Sequence, residues 1–143
     1  MLRGEFQHTL DAKFRIILPA RLRTDLGEKF VLTKGFDRCL YAYPMEEWAV
    51  FEAKLLALPV ANKEARQVTR FFLSRAVDCD VDKQGRVVIP QTLREFAELE
   101  KDVVTIGVGN RAEIWSKTNW ADYCKESDYI SEDLEAAMAR FNI

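Results

Sequence analysis

The sequence predicts an α+β protein assembled from two related halves, and three observations carry that prediction. A segment at residues 11–23, "DAKFRIILPARLR", returns at residues 82–94 as "DKQGRVVIPQTLR". Asp11 aligns with Asp82, Arg15 with Arg86, Pro19 with Pro90, Leu22 with Leu93 and Arg23 with Arg94, all at an offset of 71. After one extra residue the match resumes: "VLTKG" (31–35) lies on "VVTIG" (103–107), and Trp48 on Trp120 at an offset of 72. Within each copy the apolar pattern runs from strand to helix and back to strand, which mixes the two classes. Two copies are too few for a solenoid. They predict a pseudo-two-fold unit in which each half completes the other.

The elements follow in chain order. An alternating segment opens each copy, "GEFQHTL" in the first and "AVDCDVD" in the second, and alternation is the mark of a half-buried strand. A short turn follows at Ala12–Phe14 and Lys83–Gly85. The β-branched runs "RIILP" and "RVVIP" are the second strands. Each ends in a proline, whose fixed φ and missing N–H suit the opening of a helix. In the first helix Leu22 and Leu26 share a face and Gly27 is the expected C-cap. In the second, Leu93, Phe96 and Ala97 form that face. Two further strands close each copy, at 30–34 and 38–43, then at 103–107 and 111–116. Their turns, "GFDR" and "GVGN", hold residues that tolerate positive φ.

Between the copies the pattern turns helical. Pro44 opens a helix reaching about Leu58, with Met45, Trp48, Leu55 and Leu56 inward, and Pro59 ends it. Asn62 caps a second helix, in which Ala65, Val68, Phe71 and Phe72 recur at helical spacing. After the second copy, "KTNWADYCKE" and "SEDLEAAMARF" read as further helix, with Ser131 as N-cap and acids in the first turn. The expected organisation is a first repeat at 1–50, linking helices at 51–75, a second repeat at 76–121 and a helical segment at 122–143. The aromatic residues Trp48, Phe51, Phe71, Phe72 and Trp120 are expected in a core or a subunit contact rather than in a binding box.

Composition narrows the function. With 48% hydrophobic and 31% charged residues, the chain can build a core and stay soluble. No apolar run approaches the roughly 18 residues of a membrane span, and "MLRGEFQ" lacks an apolar signal core. The expected location is the cytoplasm. Cys39, Cys79 and Cys124 are odd in number and lack a CxxC pair, which argues against a disulfide framework or a zinc site. His8 is the one histidine, which removes most histidine-based general-base, Cys–His and zinc-site readings. The net charge of −2 and pI near 5.5 argue against nucleic acid when taken alone. The charge is uneven, however. Residues 1–23 hold five basic residues against two acidic ones, and residues 122–143 hold two against six.

The repeated Asp-x-x-x-Arg carries the chemistry. Across a tight turn between two antiparallel strands, Asp82 and Arg86 can project together. The carboxylate can cap backbone N–H groups or hold the guanidinium in one pose. Gly85 supplies a position of positive φ, and Lys83 stands at the tip. A solvated ion pair contributes only ~0–1 kcal/mol, a poor reason to have it twice. A fixed planar fork suits phosphate oxygens or a guanine edge. The alternative is a hairpin staple with no ligand. An arginine finger for phosphoryl transfer needs a phosphate cradle, and GxxxxGK[ST], GxSxG and HExxH are all missing.

These residues resemble the MraZ family of bacterial regulators, built from two AbrB-like swapped-hairpin halves. The motif D-x-K-G-R…P…R is similar to Asp11, Lys13, Arg15, Pro19 and Arg23, and again to Asp82, Gly85, Arg86, Pro90 and Arg94. "MLRGE", "YPMEEW" and "RFF" match the family too, so the resemblance spans essentially the whole chain. It implies two AbrB-like ββαββ repeats forming a double-split β-barrel decorated by helices. It implies a ring-shaped homo-oligomer bound to double-stranded DNA at short direct repeats in promoters of cell-division and cell-wall genes, in the cytoplasm at the nucleoid. No metal, cofactor, membrane or small-molecule substrate is implied, and no enzymatic activity. The DNA contacts carried over are Arg15 foremost, then Arg86; beside them Lys13, Lys83 and Arg3 are expected to add contacts, with Asp11, Asp82 and Gly85 bracing the tips. Two departures stand out. Phe14 takes the family's glycine place, where positive φ strains a bulky residue, so that turn is expected to differ in shape or to use the ring as a contact. Gln84 stands where the first copy has Lys13.

Two rival classes predict different behaviour. A protein-interaction scaffold binds with weak salt dependence, whereas DNA binding depends on it steeply. A small enzyme using the Asp–Arg pairs needs a concave pocket with a perturbed carboxylate.

Overall fold

The computed structural model describes residues 1–127 and 131–143. The first repeat contributes β1 (Leu2–Thr9), β2 (Arg15–Ile17), α1 (Ala20–Leu26), β3 (Lys29–Lys34) and β4 (Leu40–Pro44). Two helices follow, α2 (Met45–Leu56) and α3 (Lys63–Leu73). The second repeat contributes β5 (Val77–Asp80), β6 (Arg86–Val88), α4 (Gln91–Phe96), β7 (Asp102–Gly109) and β8 (Ala112–Ser116). α5 (Lys117–Ser127) and α6 (Ser131–Arg140) end the described chain. The capping role expected of Ser131 lies outside the described residues.

Six strands form one antiparallel sheet in the order β1-β7-β8-β4-β3-β5, and β2 pairs with β6 in a separate two-stranded ribbon. The pairing crosses the repeats. β1 runs against β7, and its counterpart β5 runs against β3. β4 meets β8, and β2 meets β6. Among the described residues only β3–β4 and β7–β8 are hairpins within a repeat. The strands flanking each Asp-x-x-x-Arg turn therefore do not pair with each other, and the simple hairpin expected around Asp82 and Arg86 is overturned. In each repeat the first two strands find their backbone partners in the other repeat.

Alternation on the strands gives the sheet two apolar faces. On one, Phe30, Leu32, Leu40, Val103 and Ile114 pack with Ile16 and Val87 of the ribbon and with Leu22, Leu26 and Leu93 of α1 and α4. On the other, Val31, Tyr41, Tyr43, Val104 and Trp115 pack with Trp48, Leu55 and Phe72 of α2 and α3. The aromatic residues are packing residues: Tyr43 stacks on Phe51 with centroids 5.1 Å apart, and Phe51 meets Phe72 edge-on at 5.0 Å. Cys39 and Cys79 are buried, and that burial raises both thiols, Cys79 to about 12. Met45 and Leu56, expected to face inward, are exposed, and so is Val68 of the helically spaced set. The helices present a narrower stripe to the sheet than the spacing suggested, formed by Trp48, Leu55 and Phe72 with Phe51 and Phe71 beside them.

Local signals set the helix ends. Gly27 caps α1 at φ +83° with its N–H on Arg23 O at 2.9 Å. The Asn62 side chain accepts from Ala65 N–H at 3.0 Å. The strand turns use positive φ at Asp37, Arg38 and Gly109. Among the described residues no helix is long and apolar enough to cross a membrane.

Candidate nucleic-acid interface

Each Asp-x-x-x-Arg segment folds into the same loop. Asp11 Oδ1 accepts from the N–H of Lys13 at 2.8 Å and of Arg15 at 3.0 Å, and Oδ2 accepts from Arg15 Nε at 2.7 Å. Asp82 repeats the set: Gln84 N–H at 2.9 Å, Arg86 N–H at 2.8 Å and Arg86 Nε at 2.7 Å. The backbone closes identically, with Asp11 N–H on Arg15 O and Phe14 N–H on Asp11 O, then Asp82 N–H on Arg86 O and Gly85 N–H on Asp82 O. Donation from the Arg15 and Arg86 backbone, and then from their side chains, holds both carboxyls below the usual carboxylate range. One carboxylate thus shapes the turn and fixes the guanidinium by its Nε edge. The two terminal amino groups of each arginine keep no partner among the described residues, and both side chains reach solvent.

Phe14 occupies the left-handed region at φ +61°, as Gly85 does at +79°. The expected change of turn shape is overturned: the phenylalanine accepts the strained backbone. A partner compensates. Arg94 lies over the Phe14 ring with Cζ 3.7 Å from the centroid, a cation–π contact. Arg94 Nη1 also donates to Ile89 O, and Ile89 N–H donates to Phe14 O at 2.9 Å. At the second tip the equivalent Arg23 lies on the glycine itself, so that a Cβ on Gly85 would sit 2.8 Å from Arg23 Nη1. The groove beside Gly85, lined by Arg23, Glu28, Asp82 and Lys83, has a volume of about 650 Å³. The equivalent groove, which Phe14 and Arg94 line, has about 230 Å³.

The ribbon joins the two tips. Arg15 faces Val88, Ile16 faces Val87 and Ile17 faces Arg86, and turn residues extend the ladder through Leu18 N–H on Gly85 O and Ile89 N–H on Phe14 O. Ile16 and Val87 are buried. By alternation Arg15, Ile17, Arg86 and Val88 share the outer face. The two arginines are diagonal neighbours, about 7–8 Å apart along the backbone. Ile17 and Val88 are 60% and 55% exposed, a large apolar exposure on a strand. Sequence reasoning missed this pair. Counting two residues from Arg15 and from Arg86 would have found it.

His8 holds the ribbon to the sheet. Its Nδ1–H donates to Ile17 O at 3.0 Å, and its Nε2 accepts from the Thr105 hydroxyl at 2.7 Å. Burial, opposed by the Ile17 carbonyl, lowers its pKa from 6.5. That favours the neutral ring with both nitrogens satisfied.

The other site residues fall in different places. Lys13 and Lys83 are exposed at the tips. Arg3 is exposed too, but it lies on β1 opposite Val108. It is six residues before Thr9, about 20 Å along the strand from the end that leads into the first turn. Among the described residues no three His, Cys, Asp or Glu side chains converge as a metal site would require.

The sequence is similar to those of known proteins. The profile of a family described as "MraZ protein, putative antitoxin-like" matches twice, at residues 1–71 and 72–142. Proteins named "Transcriptional regulator MraZ" are similar over the full length: 54% identical over 143 residues in Caldanaerobacter subterraneus subsp. tengcongensis and 50% in Halothermothrix orenii, covering all of both chains. The protein of that name from Clostridium beijerinckii is 58% identical over 137 residues, covering 94% of this chain and 96% of its own. Two profile matches in tandem, offset by the same 71 residues as the twin Asp-x-x-x-Arg loops, place this chain in the MraZ family.

Proposed function

We propose that this protein is a sequence-specific DNA-binding transcriptional regulator and that the β2–β6 ribbon is its reading surface. The observation that carries the reading is the pair Arg15 and Arg86, each clamped through Nε and each free at its terminal amino groups, on one exposed face. Such a fork matches guanine O6 and N7, or two phosphate oxygens. Lys13 and Lys83 at the tips add phosphate contacts, and Arg3 adds one farther along the backbone. The name shared by the relatives supports the same reading.

One ribbon offers few contacts, and such proteins bind non-specific DNA with Kd values around 10⁻⁴–10⁻⁶ M. A ring of copies on short promoter direct repeats makes later contacts intramolecular and raises avidity by ~10²–10⁴. Repeats about 10–10.5 bp apart keep successive ribbons on one side of the duplex. The sheet and ribbon then form the double-split barrel, the acidic C-terminal helices face away from DNA, and the genes served are those of cell division and wall synthesis, at the nucleoid.

Footprinting on the protein's own upstream region across a salt series tests the reading. The expected result is protected repeats and affinity falling steeply with salt. Arg15→Ala should lose at least about tenfold in affinity, since a good bidentate contact contributes about 1–3 kcal/mol, with the circular dichroism spectrum unchanged. Unaltered affinity in that variant would overturn the proposal.

A further inference from the structure

The outer face of the ribbon holds two apolar side chains that the fold does not need. Ile17 and Val88 are more than half exposed, while their neighbours Ile16 and Val87 complete the core. Their surroundings are cationic. Ile17 sits directly across from Arg86 and Val88 directly across from Arg15, with Lys13 and Lys83 at the two ends. The carboxylates of the two turns, Asp11 and Asp82, are already taken by backbone N–H groups and guanidinium. An apolar pair framed by four cations fits a partner that is anionic overall and carries isolated methyl groups. In the major groove of DNA the thymine C5-methyl group is the one such feature.

The spacing agrees. Directly opposed residues in an antiparallel ribbon have Cβ atoms about 4.5–5.5 Å apart, and successive bases are about 3.4 Å apart along a strand. An arginine engaged on a guanine edge therefore sets its β-branched partner against a neighbouring base. A two-stranded ribbon fits the major groove in width. His8 donates to Ile17 O, so the backbone bearing one of these side chains is anchored to the sheet.

We propose that Ile17 and Val88 are specificity residues, reading thymine methyl groups next to the guanines that Arg86 and Arg15 engage in the major groove. The inference rests on the DNA-reading role of the ribbon and names what that role would leave unexplained.

The test uses the full chain and a duplex selected by it from a random pool. Affinity is measured for that duplex and for a copy in which uracil replaces every thymine, which removes the C5-methyl groups and nothing else. The wild-type protein should lose about three- to fivefold in affinity per methyl contacted. The double variant Ile17→Ser/Val88→Ser should bind the two duplexes equally. Equal wild-type affinity for both, alongside a large loss in Arg15→Ala, would overturn this inference and leave DNA reading in place. Failure to select any duplex would overturn both. A change of oligomeric state in the double serine variant, with the thymine preference intact, would assign the pair to a protein contact and overturn the inference alone.

Discussion

Arg94 covers the ring of Phe14 at 3.7 Å, and Arg23, its counterpart one repeat earlier, covers the bare backbone of Gly85. The two tips share a hydrogen-bond scheme but not a surface. One is an aromatic plate under a guanidinium, and the other is a glycine beside an open groove.

Gly85→Ala should destabilise the protein by about 1–3 kcal/mol, because a Cβ is strained at φ +79° and meets Arg23. Phe14→Gly should shift stability by less than about 1 kcal/mol: it relieves the left-handed backbone and forfeits the cation–π contact. Thermal melts check the direction of the first change and the size of the second.

Asp11→Ala should weaken DNA binding through Arg15, since the turn loses two backbone caps and the guanidinium loses its clamp. Asp11→Asn keeps an acceptor for the caps and should lie between wild type and Asp11→Ala. Titrations of a repeat-bearing duplex would show the order. Identical affinities in all three proteins would remove the clamp from the mechanism.

Lys13→Ala and Lys83→Ala should each reduce the slope of log K against log salt by about one and leave sequence preference unchanged. Arg3→Ala should do no more than this, given its distance along β1 from the first turn. Loss of sequence preference in Arg3→Ala would show that β1 also reads bases.

Stability should fall as pH drops below about 6.5, because His8 titrates lower in the folded chain than in the unfolded one. The unfolded chain takes up the proton first, so the loss begins near the unfolded value and ends at the lowered one. Protonation at Nε2 would leave that nitrogen unable to accept from Thr105. His8→Gln should flatten this part of the profile. Denaturant titrations between about pH 5 and 7.5 would reveal the difference.

Glu113→Leu should cost on the order of 3 kcal/mol. Its carboxylate is buried and takes Arg111 Nη2 at 2.8 Å and Trp115 Nε1 at 3.1 Å, so its loss would leave the Trp115 indole N–H without that acceptor and Arg111 without its carboxylate. Arg111 also lies over the Tyr41 ring at 4.1 Å, so a Tyr41→Leu exchange in the same background tests whether the losses couple.

By itself, the order of residues determined the ββαββ grammar of each half, the helix ends at Pro19, Gly27, Pro44 and Asn62, and the coupling of Asp11 to Arg15 and Asp82 to Arg86. These are local events, written in alternation, capping and turn chemistry within a few residues. Tertiary structure alone decided that β1 pairs with β7 and β2 with β6, because unpaired strand edges are satisfied by whichever partner the whole chain brings near. That pairing set Arg15, Ile17, Arg86 and Val88 on one face. It also supplied Arg94 to Phe14, a contact between residues 80 positions apart, which lets a bulky ring sit where backbone sterics favour glycine.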